Sequence, residues 1–593
     1  MSTSVEKLAL LRAALKQNSL DAYIVPISDP HLDENIPDHW KIISWLTGFT
    51  GSAANVVVTD SFAGLWTDSR YFLQAQKQLA GTGFDLIIPE TFQPVDYTDW
   101  LAEHISSGGR VGLDGRIFSI TQLRKLKNKL EGENISFVND CDLVRDIWKE
   151  RPSLPYSEAW DHTLEFSGKS RSQKIAEVRE QMKKRNIDFH LLTSIDDIMW
   201  LLNIRGNDMA YSPLLTSFAL IGEVQILLFV EEKKIPGNLA SEFDRLGIIM
   251  LPYEEVEGLE SFMIEGSSVL INPATTSVAL YNLIPDKLKI VEDISIPTRM
   301  KAVKNKTEIE NIGKVMIKDG VALTKFFYLV ENDLGIVPMT EVSLAGRLLE
   351  FRMHQEGFLS LSFSTITALN EHAALPHYEP TSESDSILGE SGIFLVDSGG
   401  QYMGGTTDIT RTISFGTPTA LQKKDFTLVL KGHIALAFAK FPMGTKGYQL
   451  DLLARKALWE NGLNYGHGTG HGVGYCLNVH EGPQNISPAD VKINIEPGML
   501  ISNEPAIYRE GEYGIRTENL ILCYEDEETE FGQFLKFDTV SLCYIDKNLI
   551  DKSMLYQNEI NWLNNYHTDV YDKISPHLTN EERVWLKGKT EPI

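Results

Sequence analysis

Three histidines within seventeen residues are the most chemically informative feature of the sequence. His467, His471 and His480 lie in HGTGHGVGYCLNVHEGP, residues 467–483, interleaved with glycines. A glycine in a helix interior costs about 1 kcal/mol, so His467 and His471 are not a pair on a helical face. Glycines allow an extended backbone to approach a crowded centre closely, and residues two or four apart on a strand share one face. The segment predicts that His467 and His471 face one common site.

Carboxylates that adjoin apolar runs are the natural partners of these imidazoles. Asp397 follows IFLV, Glu504 follows GMLISN, and Glu518 precedes NLILCY. Such runs form the core strands of a sheet, where an unpaired carboxylate costs several kcal/mol unless it is neutralised or coordinated. A positive charge is therefore expected beside these three residues.

A fourth acidic residue occurs in a strictly alternating segment. In TTDITRTISF, Ile409 and Ile413 take one face while Asp408 and Thr410 take the other, so Asp408 can join the same cluster. Taken alone, an acidic residue beside a strand is more often a cap or an ion-pair partner, and a lone histidine is more often a loop or core residue. The argument for ligands depends on their joint occurrence within residues 397–518.

Four carboxylates and one imidazole carry a charge of about −4, which two divalent cations would balance. Oxygen-rich donor sets favour Mn²⁺, Mg²⁺ or similar hard ions over the thiolate-rich sites of structural Zn²⁺. Two ions about 3.5 to 4 Å apart can hold a bridging hydroxide and polarise a carbonyl. The residues therefore favour a dinuclear hydrolase.

The elements that precede this cluster contain a weak internal repeat. Each copy reads as a helix, a buried strand, a loop and further strands, which is an α/β pattern. The matching segments are the stripe Leu8, Leu11, Leu15 before DAYIV with Ile175, Val178, Met182 before DFHLL, and WLTGFTGS from Trp45 with WLLNIRGN from Trp200. Two domains of similar plan are predicted, although one helix and one strand can also match by chance.

A third region begins near TRMKAVKNKTEIENI. Thr307 and Glu310 have the spacing of a capping box, and Ile312 and Met316 continue as an apolar stripe, which predicts a helix that opens a new domain. The aromatic-rich tail from about Asn558 is predicted to be helical and to pack onto the third domain or a partner subunit.

Composition excludes several classes of function. The chain has 593 residues, enough for about three to four domains, and a net charge of −26, which argues against a nucleic-acid partner. The amphipathic start is not a signal peptide, and apolar runs fall short of the ~18 residues of a membrane span. Four scattered cysteines fit reduced, buried thiols in a cytoplasmic protein.

Five motifs together resemble the metal signature of the pita-bread metallopeptidases, which include methionine aminopeptidase, prolidase and aminopeptidase P. They are VDSGGQY with Asp397, TTDITRT with Asp408, GHGTGHGVG with His471, SNEPAIY with Glu504 and GIRTENL with Glu518. The resemblance is greatest to the long, three-domain cytoplasmic Xaa-Pro aminopeptidases and covers essentially the whole chain. WLTGFTGSAANVVVT resembles a creatinase-type N-terminal domain, and the final residues from INWLNNYH resemble the C-terminal extension of that family.

The resemblance implies an α/β (α+β) fold with two creatinase-type N-terminal α/β domains, residues 1–160 and 161–300. A pita-bread catalytic domain, residues 301–593, would follow and include a C-terminal extension from about residue 530. It also implies a cytoplasmic homodimer that acts on peptides with a penultimate proline, with no nucleic acid or membrane partner.

The same resemblance assigns the metal ligands. Asp408 and Glu518 would bridge two divalent ions per subunit, Asp397 would complete one site, and His471 with Glu504 the other. Mn²⁺ is the first choice, with Zn²⁺ or Co²⁺ as alternatives. In the implied reaction, a metal-bridging hydroxide attacks the carbonyl of the first residue of an Xaa-Pro peptide.

Five further residues match substrate-facing positions of the family. His377 in ALPHYEP would contact substrate at the scissile region, while His467 and His480 would line the proline pocket and help to handle protons. Arg516 would orient the acidic ligands and Tyr508 would be a pocket aromatic. For Arg516, a simple surface ion pair is the alternative.

Three rival interpretations remain at this point. Prolidase shares the metal centre but cuts dipeptides and has one N-terminal domain, so the internal repeat disfavours it. Creatinase-like amidinohydrolases share the fold without metal, which the five intact ligand positions disfavour. A catalytically dead peptidase-like binding module loses ligand residues and carries a long acidic tail, neither of which applies here.

Overall fold

The computed structural model describes residues 3–68, 70–88, 96–130 and 132–593. The chain divides into two compact units. The first contains residues 1–161, 170–210 and 214–297, and the second contains residues 162–169, 211–213 and 298–593. The boundary expected near residue 160, inside the first unit, stays a prediction.

The first 150 residues form a six-stranded sheet with flanking helices. The helices are Ser4–Gln17 (α1), Ile42–Thr47 (α2), Phe72–Gln78 (α3), Tyr97–His104 (α4), Ile120–Lys129 (α5) and Val144–Ile147 (α6). The strands are Ala22–Pro26 (β1), Ala54–Val58 (β2), Ala63–Thr67 (β3), Asp85–Ile87 (β4), Arg110–Leu113 (β5) and Ser136–Val138 (β6), in the order β4-β3-β2-β1-β5-β6. A short 3₁₀ helix spans Asp38–Trp40.

Residues 160–302 contain a second six-stranded sheet. The helices are Leu164–Ser167 (α7), Arg171–Lys184 (α8), Ile195–Leu202 (α9), Gly237–Arg245 (α10), Val278–Asn282 (α11) and Ile296–Ala302 (α12), with 3₁₀ segments at Glu232–Lys234 and Tyr253–Phe262. The strands are Trp160–Asp161 (β7), Phe189–Leu192 (β8), Ile204–Arg205 (β9), Phe218–Ile221 (β10), Ile226–Phe229 (β11), Ile248–Leu251 (β12), Ser268–Ile271 (β13) and Lys289–Glu292 (β14). The sheet order is β12-β11-β10-β8-β13-β14, and β7 pairs with β9.

The two sheets have the same plan, which confirms the internal repeat. In both, the first strand pairs antiparallel on one side and parallel on the other. The helical stripes that revealed the repeat are buried in α1 and α8 alike. Because each stripe packs one helix against its own sheet, the same spacing recurs in both copies.

The second unit carries several small antiparallel sheets between long helices. The helices are Lys306–Asp333 (α13), Glu341–Met353 (α14), Ala420–Ala437 (α15), Gly447–Trp459 (α16), Gln557–Ile574 (α17) and Asn580–Thr590 (α18). The 3₁₀ segments are Asn370–Ala374, Lys547–Leu549, Lys552–Met554 and Ser575–His577. The strands are Phe358–Leu361 (β15), Ile366–Leu369 (β16), Gly392–Ser398 (β17), Gly400–Tyr402 (β18), Gly405–Thr406 (β19), Ile409–Phe415 (β20), Lys440–Pro442 (β21), Gly470–His471 (β22), Asn485–Ile486 (β23), Leu500–Asn503 (β24), Ala506–Arg509 (β25), Tyr513–Arg516 (β26), Asn519–Thr529 (β27) and Gly532–Thr539 (β28).

Two of these sheets meet around the acidic residues. One has the order β16-β17-β20 and the other β21-β28-β27-β24, while β22 pairs with β23 and β25 with β26. The backbone N–H of Glu518 donates to the carbonyl of Thr410 at 3.1 Å and so connects the two sheets.

The helix that opens the third region begins two residues earlier than the sequence predicts. Asn305, not Thr307, is the N-cap of α13, and it forms the capping box with Glu308. The Asn305 Nδ2 also donates to the carbonyl of Ser167 at 3.0 Å, which fixes this residue as the cap. The predicted stripe is confirmed, since Ile312 and Met316 are buried.

The tail is helical, as predicted, and packs onto the rest of the second unit. Ile560, Leu563, Val570 and Ile574 of α17 belong to the same apolar core as residues of the sheets around the acidic cluster. All four cysteines are free thiols, and only Cys141 among them is partly exposed. Every helix in the described part of the chain is too short or too polar to cross a membrane.

Candidate metal centre

Four strand ends carry the predicted acidic ligands. Asp397 is the penultimate residue of β17, and Asp408 immediately precedes β20, its antiparallel neighbour. Glu504 immediately follows β24, and Glu518 immediately precedes β27, to which β24 is paired. Carboxylates that are far apart along the chain are thus brought to one place by sheet pairing.

The side chains form three overlapping groups, in each of which possible ligand atoms lie within 4.8 Å of one another. The groups are Asp397, Asp408, Glu518; His471, Glu504, Glu518; and Asp408, His471, His480. The five predicted ligands are therefore together, and His480 joins them. Glu518 belongs to the first two groups, so it can contact both of two adjacent cations.

The glycine-rich segment positions His471 but only partly as the sequence predicts. His471 lies on β22, where its backbone N–H donates to the Ser502 Oγ at 2.9 Å. Its Nε2 lies 3.4 Å from the Asp408 Oδ2 and 3.4 Å from the Glu504 Oε1. Its Nδ1 lies 3.0 Å from the carbonyl of Gly472, to which it can donate, so Nε2 is the ring nitrogen that faces the carboxylates.

His467 does not continue this strand, and the prediction of one extended face was wrong there. It lies in a bend three residues before β22. The Arg455 guanidinium donates to the carbonyls of Tyr465 and His467, both at 2.7 Å, and so holds the backbone of this bend. His467 reaches the acidic cluster indirectly, through Tyr508.

A hydrogen-bonded chain joins His467 to the acidic cluster. The Arg516 Nη2 donates to the Asp397 Oδ2 at 2.5 Å and its Nη1 to the Tyr508 hydroxyl at 2.7 Å. The Tyr508 hydroxyl lies 2.9 Å from the His467 Nε2, while the His467 Nδ1 lies 2.7 Å from the carbonyl of Gly468. Neutral His467 therefore keeps its proton on Nδ1 and accepts from Tyr508 at Nε2.

Arg516 is 3% exposed, so the alternative of a surface ion pair is wrong. Burial lowers its pKa, but Tyr508 and the carboxylates outweigh that effect and raise the pKa well above its usual value. Burial raises the pKa of Tyr508 to about 12 against the opposing effect of Arg516, so the hydroxyl stays neutral near pH 7. The neutral hydroxyl can accept from Arg516 and donate to His467 at once.

Of the two remaining predicted histidines, His480 lies beside the cluster and His377 lies on a loop that adjoins Arg516. The His480 ring packs edge-on against His471 with centroids 4.2 Å apart, and His480 is exposed. His377 follows the 3₁₀ segment at residues 370–374 and is half-buried. Arg516 approaches the preceding carbonyl, that of Pro376, at 3.4 Å, so the His377 loop adjoins the same arginine.

Without a cation, burial and mutual repulsion disfavour the ionised forms of the clustered carboxylates. Burial, followed by repulsion from Asp397, raises the pKa of Asp408 well above its usual range. Burial and then Asp408 do the same for Glu518, and burial also raises the pKa of Glu504 against the favourable effect of His471. Bound cations would restore the ionised forms of all three.

Divalent metal fits this donor set. The Asp397 Oδ1 is buried and has no hydrogen-bond partner, which a native structure tolerates when a ligand takes that place. One oxygen of each of two other carboxylates is held by a hydroxyl, the Glu518 Oε2 by Thr410 at 2.7 Å and the Glu504 Oε1 by Ser502 at 3.1 Å. Oriented carboxylates with an open acceptor are what a hard cation requires.

Sequence reasoning missed several supporting residues. Thr410 was identified only as a member of the polar face, and Ser502 and Arg411 were not singled out. Arg411 lies on the apolar side of an alternating strand, where the sequence pattern predicts a core side chain. Only the pairing of distant segments shows what these residues contact.

Comparison with known proteins agrees with this site. Residues 310–525 match metallopeptidase family M24, and residues 533–593 match the C-terminal region of that peptidase. Residues 7–147 and 150–308 each match the Creatinase/Prolidase N-terminal domain. The chain belongs to metallopeptidase family M24, and the predicted fold class, two creatinase-type domains followed by a pita-bread domain, is confirmed.

Within that family the chain is similar over its full length to aminopeptidases P. It is 37% identical to Aminopeptidase P2 of Arabidopsis thaliana, over 99% of this chain and 88% of that protein. It is 38% identical to Xaa-Pro aminopeptidase 1 of Dictyostelium discoideum, over 100% and 97% of the two chains. The crystal structure of X-prolyl aminopeptidase from Caenorhabditis elegans, described as a cytosolic enzyme with a di-nuclear active site, is 35% identical, covers 100% of both chains and gives a TM-score of 0.95.

Proposed function

We propose that the protein is a dinuclear metallo-aminopeptidase that releases the N-terminal residue from peptides with proline in the second position. The main support is the gathering of four carboxylates and His471 from separate strands into overlapping groups of ligand atoms. Full-length similarity to proteins named as Xaa-Pro aminopeptidases supports the substrate class.

The proposed ligands follow from the overlap of these groups. Two divalent ions would be held by Asp397, Asp408, His471, Glu504 and Glu518, with Asp408 and Glu518 as the proposed shared ligands because each belongs to two of the groups. Asp397 would complete one site, and His471 with Glu504 the other. Manganese is the proposed metal, with zinc or cobalt as alternatives, because the donors are mainly oxygen. A pair of such cations would supply polarisation of a peptide carbonyl and activation of water for hydrolysis.

The chain's own residues hold and move protons around this centre. Arg516 orients Asp397, and Tyr508 connects Arg516 to His467 through hydrogen bonds. His467 holds its Nε2 toward the Tyr508 hydroxyl, and this contact fixes the orientation of its ring. His377 would contact the substrate at the scissile region, and His467 and His480 would line the proline pocket.

The proposed selectivity follows from the chemistry of proline. An Xaa-Pro bond lacks the N–H that general peptidases bind, so recognition depends on the shape of the pyrrolidine ring. The departing group is a secondary amine, which leaves only after protonation. We assign that proton transfer to His467 and His480, which would deliver to the amine the proton that the attacking water gives up.

The cellular location, the oligomeric state and the domain boundaries are also proposals. The enzyme is expected to be cytoplasmic and homodimeric, with domain boundaries near residues 160 and 300 and a C-terminal extension from about residue 530. The Caenorhabditis elegans protein is described as cytosolic, which supports the location.

The proposal is tested with manganese-loaded protein on three peptides, Ala-Pro-Ala, Ala-Pro and Ala-Ala-Ala. Hydrolysis of Ala-Pro-Ala alone is expected, whereas cleavage restricted to Ala-Pro would identify a prolidase. Asp408→Ala should abolish metal binding and turnover with an unchanged circular dichroism spectrum. The exposed Asp490→Ala is the matched control and should behave as wild type. Undiminished hydrolysis by Asp408→Ala would remove the metal hypothesis.

A further inference from the structure

A buried arginine links the two strands that carry the proposed bridging carboxylates. Arg411 lies on β20 and is 2% exposed. Its Nη1 donates to the carbonyl of Thr410 at 2.9 Å and to the carbonyl of Glu518 at 2.6 Å. Its Nη2 donates to the Asn519 Oδ1 at 2.8 Å, at the start of β27. One guanidinium therefore holds the backbone of both strands at the point where their acidic residues meet.

The same guanidinium is held in turn by the C-terminal extension. The Arg411 Nη2 donates to the hydroxyl of Tyr566, on α17, at 2.7 Å. That hydroxyl also lies 2.9 Å from the carbonyl of Cys543 and 3.2 Å from the Asn519 Oδ1. The Tyr566 ring is buried and stacks on Trp562 at 5.3 Å, so the hydroxyl cannot swing away.

The hydrogen bond between Arg411 and Tyr566 helps to solvate a buried cation, in addition to packing the helix. The contacts of the Arg411 guanidinium described here are all to neutral oxygens of carbonyls, an amide and a hydroxyl. A buried cation that is solvated only by fixed dipoles takes its position from them, because water cannot replace a lost acceptor. The two N–H groups of the Arg411 Nη2 share three acceptors, namely the Asn519 Oδ1, the carbonyl of Cys543 and the Tyr566 hydroxyl. Loss of the Tyr566 hydroxyl therefore lets the guanidinium shift toward the other two acceptors, and the strands that it connects can shift with it.

The strand separation matters because the carboxylates must fit cations. The Thr410 Oγ1 holds the Glu518 Oε2 at 2.7 Å, and this contact depends on the backbone positions that Arg411 fixes. Metal–ligand distances tolerate only about 0.2 Å. A small change between β20 and β27 would thus weaken metal binding before it unfolds the domain.

We propose that the C-terminal extension is a support of the metal centre, in which Tyr566 acts through Arg411 as a positioning residue for Asp408 and Glu518. This inference rests on the proposed function. It gives α17 a role that its sequence periodicity did not indicate.

The test compares manganese binding to metal-free wild-type protein and to Tyr566→Phe, by calorimetric titration and by electron paramagnetic resonance. We expect the dissociation constant for manganese to be about tenfold larger in Tyr566→Phe than in wild type, as for other residues that hold metal ligands. We also expect loss of the exchange-coupled signal of a manganese pair at metal concentrations that saturate wild type. Arg411→Lys should give a larger loss in the same direction.

Two control variants separate positioning from stability. Tyr571→Phe removes a hydroxyl from the same helix and keeps a ring that packs on the same core, and it should bind manganese as wild type does. Leu563→Ala opens a cavity in the helix face and should lower the thermal midpoint without changing the manganese affinity.

The outcomes are distinct. Equal manganese affinity and signal in Tyr566→Phe and wild type would overturn the inference and leave the proposed function intact. A loss of affinity in Leu563→Ala as large as that in Tyr566→Phe would also overturn it, because the effect would then follow stability alone. Absence of manganese binding by the wild type would overturn the proposed function and this inference with it.

Discussion

Replacing Gly470 by alanine tests why the histidine segment is rich in glycine. Gly470 is the first residue of β22, next to His471, and an added Cβ would lie 1.9 Å from the carbonyl oxygen of Ser502. Real Cβ contacts essentially never fall under 3.0 Å, so the two backbones must separate by the difference, about 1.1 Å. The atom met is a backbone carbonyl of β24, which cannot turn aside as a side chain could.

The displacement acts directly on a proposed metal ligand. The His471 Nε2 lies 3.4 Å from both the Asp408 Oδ2 and the Glu504 Oε1, and a metal ion among them tolerates about 0.2 Å of change in each bond. A shift of ~1 Å at a reacting centre reduces the rate by about 100-fold. We therefore expect Gly470→Ala to lose both manganese affinity and about 100-fold in kcat/KM.

The assay is metal stoichiometry by mass spectrometry, with kcat/KM on Ala-Pro-Ala at saturating manganese. Gly468→Ala is the steric control, because its added Cβ would meet Ser487 at 3.3 Å and the carbonyl of Ile486 at 3.6 Å, which small adjustments accommodate. Circular dichroism should be unchanged in both variants. If Gly470→Ala kept the metal content and kcat/KM of Gly468→Ala, close backbone approach would not be the reason for glycine at this position.

Three further predictions concern residues around and away from the centre. Arg455→Met should reduce the free energy of unfolding by about 3–5 kcal/mol in urea titrations, because it leaves the buried Asp451 without its 2.7 Å partner; addition of Asp451→Asn should recover part of the loss. Tyr508→Phe should lower kcat/KM about tenfold at unchanged metal content, because a hydrogen bond to a charged group contributes about 1.5–3 kcal/mol and His467 loses its fixed donor. Burial raises the pKa of Asp29 to about 7 from 3.8, so the folded state holds this proton longer than the unfolded chain. The resulting stability is present below pH ~4 and is lost as the pH rises through ~7; Asp29→Asn should remove that part of the pH dependence between pH ~4 and ~7 in thermal unfolding.

The sequence identifies the acidic ligands because each one breaks a local rule. Asp397, Glu504 and Glu518 each adjoin a run that is apolar enough to be a core strand, so their charge has no local explanation. Asp408 is found by alternation along β20. Such conflicts between a residue and its element are visible without knowing which strands are neighbours.

The supporting residues cannot be found in this way. The contacts of Arg516 with Asp397 and of Thr410 with Glu518 join residues 119 and 108 positions apart. They follow from the register of β17 with β20 and the approach of β26, and a shift of one residue would turn each side chain to the opposite face. Sequence periodicity indicates which face of a strand each side chain occupies, but not which strand lies beside it.

The start of α13 shows a second limit. Asn305 with Glu308, and Thr307 with Glu310, both have the spacing of a capping box, so the pattern alone allows either start. The structure selects Asn305 because its amide has both an acceptor and a donor. The oxygen accepts from the Glu308 N–H while the nitrogen donates to the carbonyl of Ser167, 138 positions away.

Hydrogen bonds from protein groups orient the clustered carboxylates before a cation binds. In each of Asp397, Glu504 and Glu518, one oxygen is fixed by a protein group, namely a guanidinium or a hydroxyl. Arg516 alone cannot neutralise four buried carboxylates, and the raised pKa values of Asp408 and Glu518 reflect that deficit. The hydrogen-bond donors orient the carboxylates before a cation binds. The cation then supplies the missing positive charge and displaces protons from the carboxylates. Calorimetric titrations of the metal-free protein at increasing pH should therefore record a rising manganese affinity, because protons compete with the cation for the carboxylates.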